Sequence, residues 1–104
     1  MTTVSGTWKF DGVIRENGQA ISEIRPICVL AQTGPNISGS CKGPANEGAA
    51  DGAIEGQRVF IVWHTRDGNA LPVTFRGMLE NDGAIDGEMN FPPYALTPFR
   101  AERQ

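Results

Sequence analysis

Val73-Thr74-Phe75-Arg76-Gly77-Met78-Leu79-Glu80-Asn81-Asp82-Gly83-Ala84-Ile85-Asp86-Gly87-Glu88-Met89-Asn90-Phe91 alternates apolar and polar residues on either side of a turn signal at Asn81-Asp82-Gly83. A period of two belongs to a strand with one covered face, and a central Asp-Gly makes two such strands a hairpin. Val73, Phe75, Gly77 and Leu79, with Leu71 before them, fall on one side, while Thr74, Arg76, Met78 and Glu80 fall on the other. Ile85, Gly87, Met89 and Phe91 continue the inner set, against Asp86, Glu88 and Asn90. Each strand also carries an apolar residue, any residue, then glycine, and the same stamp recurs at Ile37-Ser38-Gly39 and Ile54-Glu55-Gly56. Inward glycines let a curved sheet bend, so the pattern predicts a small closed barrel.

Further turn signals stand at Asn17-Gly18, Thr33-Gly34-Pro35-Asn36, Gly43-Pro44 to Gly48, Glu55-Gly56-Gln57, Asp67-Gly68-Asn69 and Pro92-Pro93. They cut the chain into segments near 5–14, 24–32, 36–42, 49–55, 58–66, 71–80, 84–91 and 94–101. The spacing leaves no room for crossover helices, so neighbours are antiparallel. The predicted class is all-β, an eight-stranded antiparallel up-and-down β-barrel, with residues 1–104 forming a single domain. The stretch from Arg15 to Glu23, interrupted by Asn17-Gly18, reads as a long first loop.

Composition narrows the function classes. With 39% hydrophobic residues, 20% charged residues and a net charge of −3, the chain has no basic run to hold a phosphate backbone, so nucleic acid is not an expected partner. Its longest apolar stretches, such as Val59 to Trp63, fall far short of the roughly 20 residues of a spanning helix, and no membrane partner is expected. Met1-Thr2-Thr3-Val4-Ser5 has neither the basic start nor the apolar core of a signal peptide. The expected location is therefore the cytoplasm, with an exported mature form as the alternative if a leader was removed.

Arg58-Val59-Phe60-Ile61-Val62-Trp63-His64 departs from alternation, because it is apolar on both faces. Parity turns Trp63 inward and leaves Phe60, Val62 and His64 outside with Met78. A doubly apolar strand implies a covered outer surface, and self-association as a dimer or tetramer through these four residues is the expectation.

Gly6-Thr7-Trp8, Ile37-Ser38-Gly39-Ser40, Val59 to Trp63 and Val73-Thr74-Phe75-Arg76-Gly77 together resemble the strands of the avidin and streptavidin family, a calycin type of barrel. The resemblance implies a ligand in the barrel, but the residues depart from a biotin site. Hydrogen-bonding positions of that family fall on Phe10, Cys41 and Gly43, the position beside the biotin sulfur on Val73, and two tryptophan positions on Phe75 and Met89. Buried polar ligand groups left without such partners cost several kcal/mol, so biotin is not the expected ligand. Gly6-Thr7-Trp8 with the Cys28/Cys41 pair also resembles small bacterial metalloprotease inhibitors, eight-stranded barrels with one disulfide.

Candidate chemistry is sparse. A hairpin closed at Thr33-Gly34-Pro35-Asn36 sets Cys28 opposite Cys41, as packed thiols, a disulfide, a pair lining a cavity, or a redox pair. His64 is the only histidine, and no Gly-x-Ser-x-Gly element accompanies it. The expected function is binding of a small apolar molecule by Trp8, Phe10, Cys28, Cys41, Trp63, Val73, Phe75, Met89 and Tyr94, the inward glycines leaving space beside the aromatics. No cofactor, metal or catalytic residue is expected. The alternatives are a cofactor-independent isomerase or cyclase, with Cys41 or Tyr94 assisting, and a protein-binding inhibitor barrel.

Overall fold

The computed structural model describes residues 4–43, 47–64, 72–90 and 96–104. Its strands are β1 (Gly6–Glu16), β2 (Gln19–Ile24), β3 (Ile27–Thr33), β4 (Asn36–Lys42), β5 (Glu47–Glu55), β6 (Arg58–Trp63), β7 (Val73–Leu79), β8 (Ile85–Asn90) and β9 (Thr97–Arg103). Each neighbour from β3 to β9 pairs antiparallel with the next, and β9 returns to β1 from Trp8↔Arg103 to Gly12↔Phe99. The result is a closed eight-stranded up-and-down barrel.

The extra strand corrects the expected long first loop. Asn17 (φ 54°) and Gly18 (φ 81°) both lie in the left-handed region, the backbone of a two-residue type I′ hairpin, so they reverse the chain instead of loosening it. β2 and β3 are two halves of one barrel wall: Gly6↔Leu30 to Lys9↔Ile27 and Gly12↔Ile24 to Ile14↔Ser22 share a single register along β1. Arg25-Pro26 separates the halves because proline has no N–H for the ladder, yet the Pro26 carbonyl still accepts from the Phe10 N–H at 3.0 Å. Beyond Gly12, β1 has left β9, and β1 with β2 extends past the rim as a two-stranded ribbon.

Alternation places the core as expected for Trp8, Phe10, Ile14, Ile37, Val59, Ile61, Val73, Phe75, Ile85 and Met89, all buried. Phe99 is a core aromatic absent from the expected inward set. Its ring stacks on Phe10 (centroids 5.7 Å) and meets Phe75 edge-on (5.1 Å), while Phe10 and Phe75 lie 4.7 Å apart. Leu71, Phe91 and Tyr94 lie outside the described residues. At the end of the barrel where the chain enters, Val4 is fully buried and its carbonyl accepts the Trp8 indole N–H at 2.8 Å.

Candidate functional site

At two of the inward glycines the space left by the missing side chain is taken up by a neighbour. Met89 lies where Gly12 lacks a side chain, its Cε 2.6 Å from where a Cβ would stand. At Gly52 a Cβ would overlap the Phe60 carbonyl, so there the missing side chain is consumed by the approach of the neighbouring strand. Trp8, Phe10 and Met89 are 0% exposed, which leaves no water-sized void against them. Around these residues the interior is closely packed, as small eight-stranded barrels permit.

The other interior candidates within the described residues are buried as well. Val73 and Phe75 are buried between flanking strands, and Cys28 and Cys41 are joined in a disulfide inside the wall of β3 and β4. No free thiol exists for nucleophilic or redox work. Trp63 is 3% exposed, and unlike that of Trp8 its indole N–H has no hydrogen-bond partner among the described residues. A buried donor left unpaired costs about 1–3 kcal/mol.

His64 stands just past β6, with Nε2 3.4 Å from Asp51 Oδ2 and both side chains exposed. Ser38 is the cross-strand neighbour of Asp51 on the other side, so hydroxyl, carboxylate and imidazole occur in a row. The carboxylate occupies the middle, whereas activating a serine requires the imidazole there. Among the described residues, this row is no catalytic triad.

Among the described residues, two adjoining hollows lie on the outer face. Over β5 to β8 the sheet forms a concavity of about 540 Å³, with Phe60 (37% exposed) and Met78 (41% exposed) among Ala53, Arg58, Arg76 and Glu88. A second hollow of about 370 Å³ adjoins it, sharing Phe60, Arg76 and Glu88 and reaching the exposed Leu96. Phe60 and Met78 thus sit in a groove, while Val62 is half-buried one row away and His64 points to Asp51. The alternation marks all four as outward, but not the concavity, which depends on how the wall bends between rows. That bend comes from close approach: Gly77 and Gly87 are cross-strand partners, and a Cβ on Gly87 would overlap the Arg76 carbonyl.

The charges around the groove are of two kinds. Arg100 is fully engaged, with Nη2 2.8 Å from Asp82, Nη1 2.8 Å from Asp86 and Nε 3.2 Å from Glu102. That guanidinium, with the Ala84 N–H, holds the Asp82 carboxyl below its ordinary value. Arg58 and Arg76, by contrast, have no ionic partner among the described residues, although Glu55 and Glu88 are their cross-strand neighbours. Arg76 instead lies over the Phe60 ring, 5.3 Å from its centroid. Among known proteins, the chain matches no family model and no curated protein.

Proposed function

We propose that this chain is a non-catalytic binding module of calycin-like architecture that receives a small molecule with an apolar body on the outer groove of β5 to β8. The observation that carries this reading is the contrast between a core without water-sized space at Trp8, Phe10 and Met89 and an outer hollow of about 540 Å³ centred on Phe60 and Met78. Small-molecule sites are mainly apolar hollows of about 300–1,000 Å³ with a few polar groups at the edge. Kinship with avidin-type barrels fits the shared Gly6-Thr7-Trp8 opening. The disulfide fits work in an oxidising compartment, which favours the exported form over the cytoplasmic one.

One observation favours a second reading, in which the ligand enters the barrel: the unpaired Trp63 indole would gain an acceptor oxygen. Titration with an uncharged environment-sensitive dye, N-phenyl-1-naphthylamine, separates the two. The outer site expects Phe60→Asp to abolish binding and Trp63→Phe to leave it unchanged; the reverse result would move the site inside. A second copy of the chain is the competing occupant of the groove. An open groove requires a monomer in sedimentation of dye-free protein at micromolar concentration, whereas a dimer that Phe60→Asp dissolves would replace the small molecule with a subunit, the self-association expected from the doubly apolar β6.

A further inference from the structure

We infer that the groove's ligand is an anion, an apolar body carrying a carboxylate, sulfonate or similar oxyanion that Arg58 and Arg76 receive; this rests on the groove being the binding site. The argument comes from how one sheet treats its arginines. Arg100 draws in three carboxylates, Asp86 among them, and Asp86 is the acidic residue lining the groove beside Met78. Asp86 is thus held by Arg100, whose single positive charge it shares with Asp82 and Glu102, and the groove's other charges are Arg58 and Arg76 against Glu55 and Glu88. Register would allow each arginine a carboxylate across the ladder, yet neither pair is made, and Arg76 packs its guanidinium on the Phe60 ring.

A guanidinium on an aromatic face keeps its N–H edge available, and that edge presents paired donors matched to an oxyanion. Arg58 and Arg76 flank the Phe60 and Met78 floor on adjacent strands, since Phe60 pairs with Arg76 and Arg58 with Met78. An apolar body lying on Phe60 and Met78 therefore carries its anionic group to one guanidinium or the other. Exposed cross-strand ion pairs are weak competitors, so Glu55 and Glu88 do not block the site. The chain's net charge of −3 opposes anions at long range, so any preference for an anion must arise from these two side chains.

The test compares two probes with the same rings, 8-anilino-1-naphthalenesulfonate and the uncharged N-phenyl-1-naphthylamine, by fluorescence titration. Wild-type protein is expected to bind the sulfonate about tenfold more tightly, with the preference shrinking as salt rises. Arg58→Gln should remove part of the preference and Arg58→Gln/Arg76→Gln all of it, with the neutral dye still bound. Both positions are exposed, so the fold is not at stake. Equal affinity for the two dyes, or a preference surviving in the double variant, overturns the inference. If the neutral dye binds in a Phe60-dependent way without sulfonate preference, the groove stands as the site and only its charge selectivity falls. If neither dye binds, or Phe60→Asp changes nothing, both fall.

Discussion

Cys28 and Cys41 face each other directly across β3 and β4, Cα atoms 4.0 Å apart, and their disulfide ties two strands of the barrel wall that are already hydrogen-bonded neighbours. The bond encloses a short loop, with a sequence separation of 13 residues. Closing a loop of that size in the unfolded chain is worth about 3 kcal/mol. Cys28→Ala/Cys41→Ala should therefore fold but lose about 2–4 kcal/mol, a fall in Tm of roughly 10–20 °C by calorimetry. Retention of the wild-type Tm would mean that the ladder alone holds these strands.

Trp8 and Trp63 are equally buried but differ in one hydrogen bond. Trp8→Phe strands the Val4 carbonyl that its indole serves, whereas Trp63→Phe deletes a donor that has no acceptor among the described residues. Both lose ring volume, so the expected difference is the pairing: denaturant unfolding should find Trp8→Phe less stable than Trp63→Phe by about 1–2 kcal/mol. Trp63→Ala should cost about 3–5 kcal/mol, as a packed core aromatic does. A mild Trp63→Ala would indicate a cavity instead.

Acid stability carries the mark of Arg100. The Asp82 carboxyl is lowered first by its hydrogen bond from Arg100 and then by the Ala84 N–H. A carboxyl depressed in the folded state adds stability above its ordinary value near 3.8, and that contribution is lost as pH falls below it through the depressed value. Arg100→Gln should raise the Asp82 pKa part of the way back, because Ala84 still donates, and flatten the stability profile below about pH 4. An NMR titration of the Asp82 side chain reads this directly, and an unmoved pKa would refute it.

Gly52 is fixed by approach, not by turn geometry. A Cβ there overlaps the Phe60 carbonyl, so Gly52→Ala must push β5 from β6 and should cost at least about 2 kcal/mol. Gly18→Ala is the control: nothing lies within 4 Å of its Cβ, and only its φ of 81° is penalised, by about 1–2 kcal/mol. Chemical denaturation of both variants checks the order.

Alternation and turn residues made most of the wall legible from the sequence. The limits of β4, β6 and β8 fall close to the segments that Gly34-Pro35, Gly56-Gln57 and Asn81-Asp82-Gly83 mark off. β2 was hidden because Asn17-Gly18 serves equally as a loop breaker or as a tight reversal, and only the pairing of Glu16 with Gln19 decides. The inward glycines were legible as sites of curvature, but whether curvature opens a void or closes one depends on the opposing strand, and at Gly52 the approach of β6 closes it. The outward set of Phe60 and Met78 was readable as well. The idle state of Arg58 and Arg76 was not, since their sequence neighbours across the turns predict ordinary ion pairs.

The barrel is sealed by its first and last strands, and this sets how it bears load. β1 begins and β9 ends on the same rim, where the Gln104 N–H reaches the Thr7 carbonyl at 2.8 Å. Tension applied through the two ends would therefore meet the β1–β9 ladder one rung at a time, opening it like a zipper instead of shearing all its bonds together. Tethered by both ends, the module would yield to small forces at that seam, while a pull across the disulfide-linked β3 and β4 would meet a covalent stop.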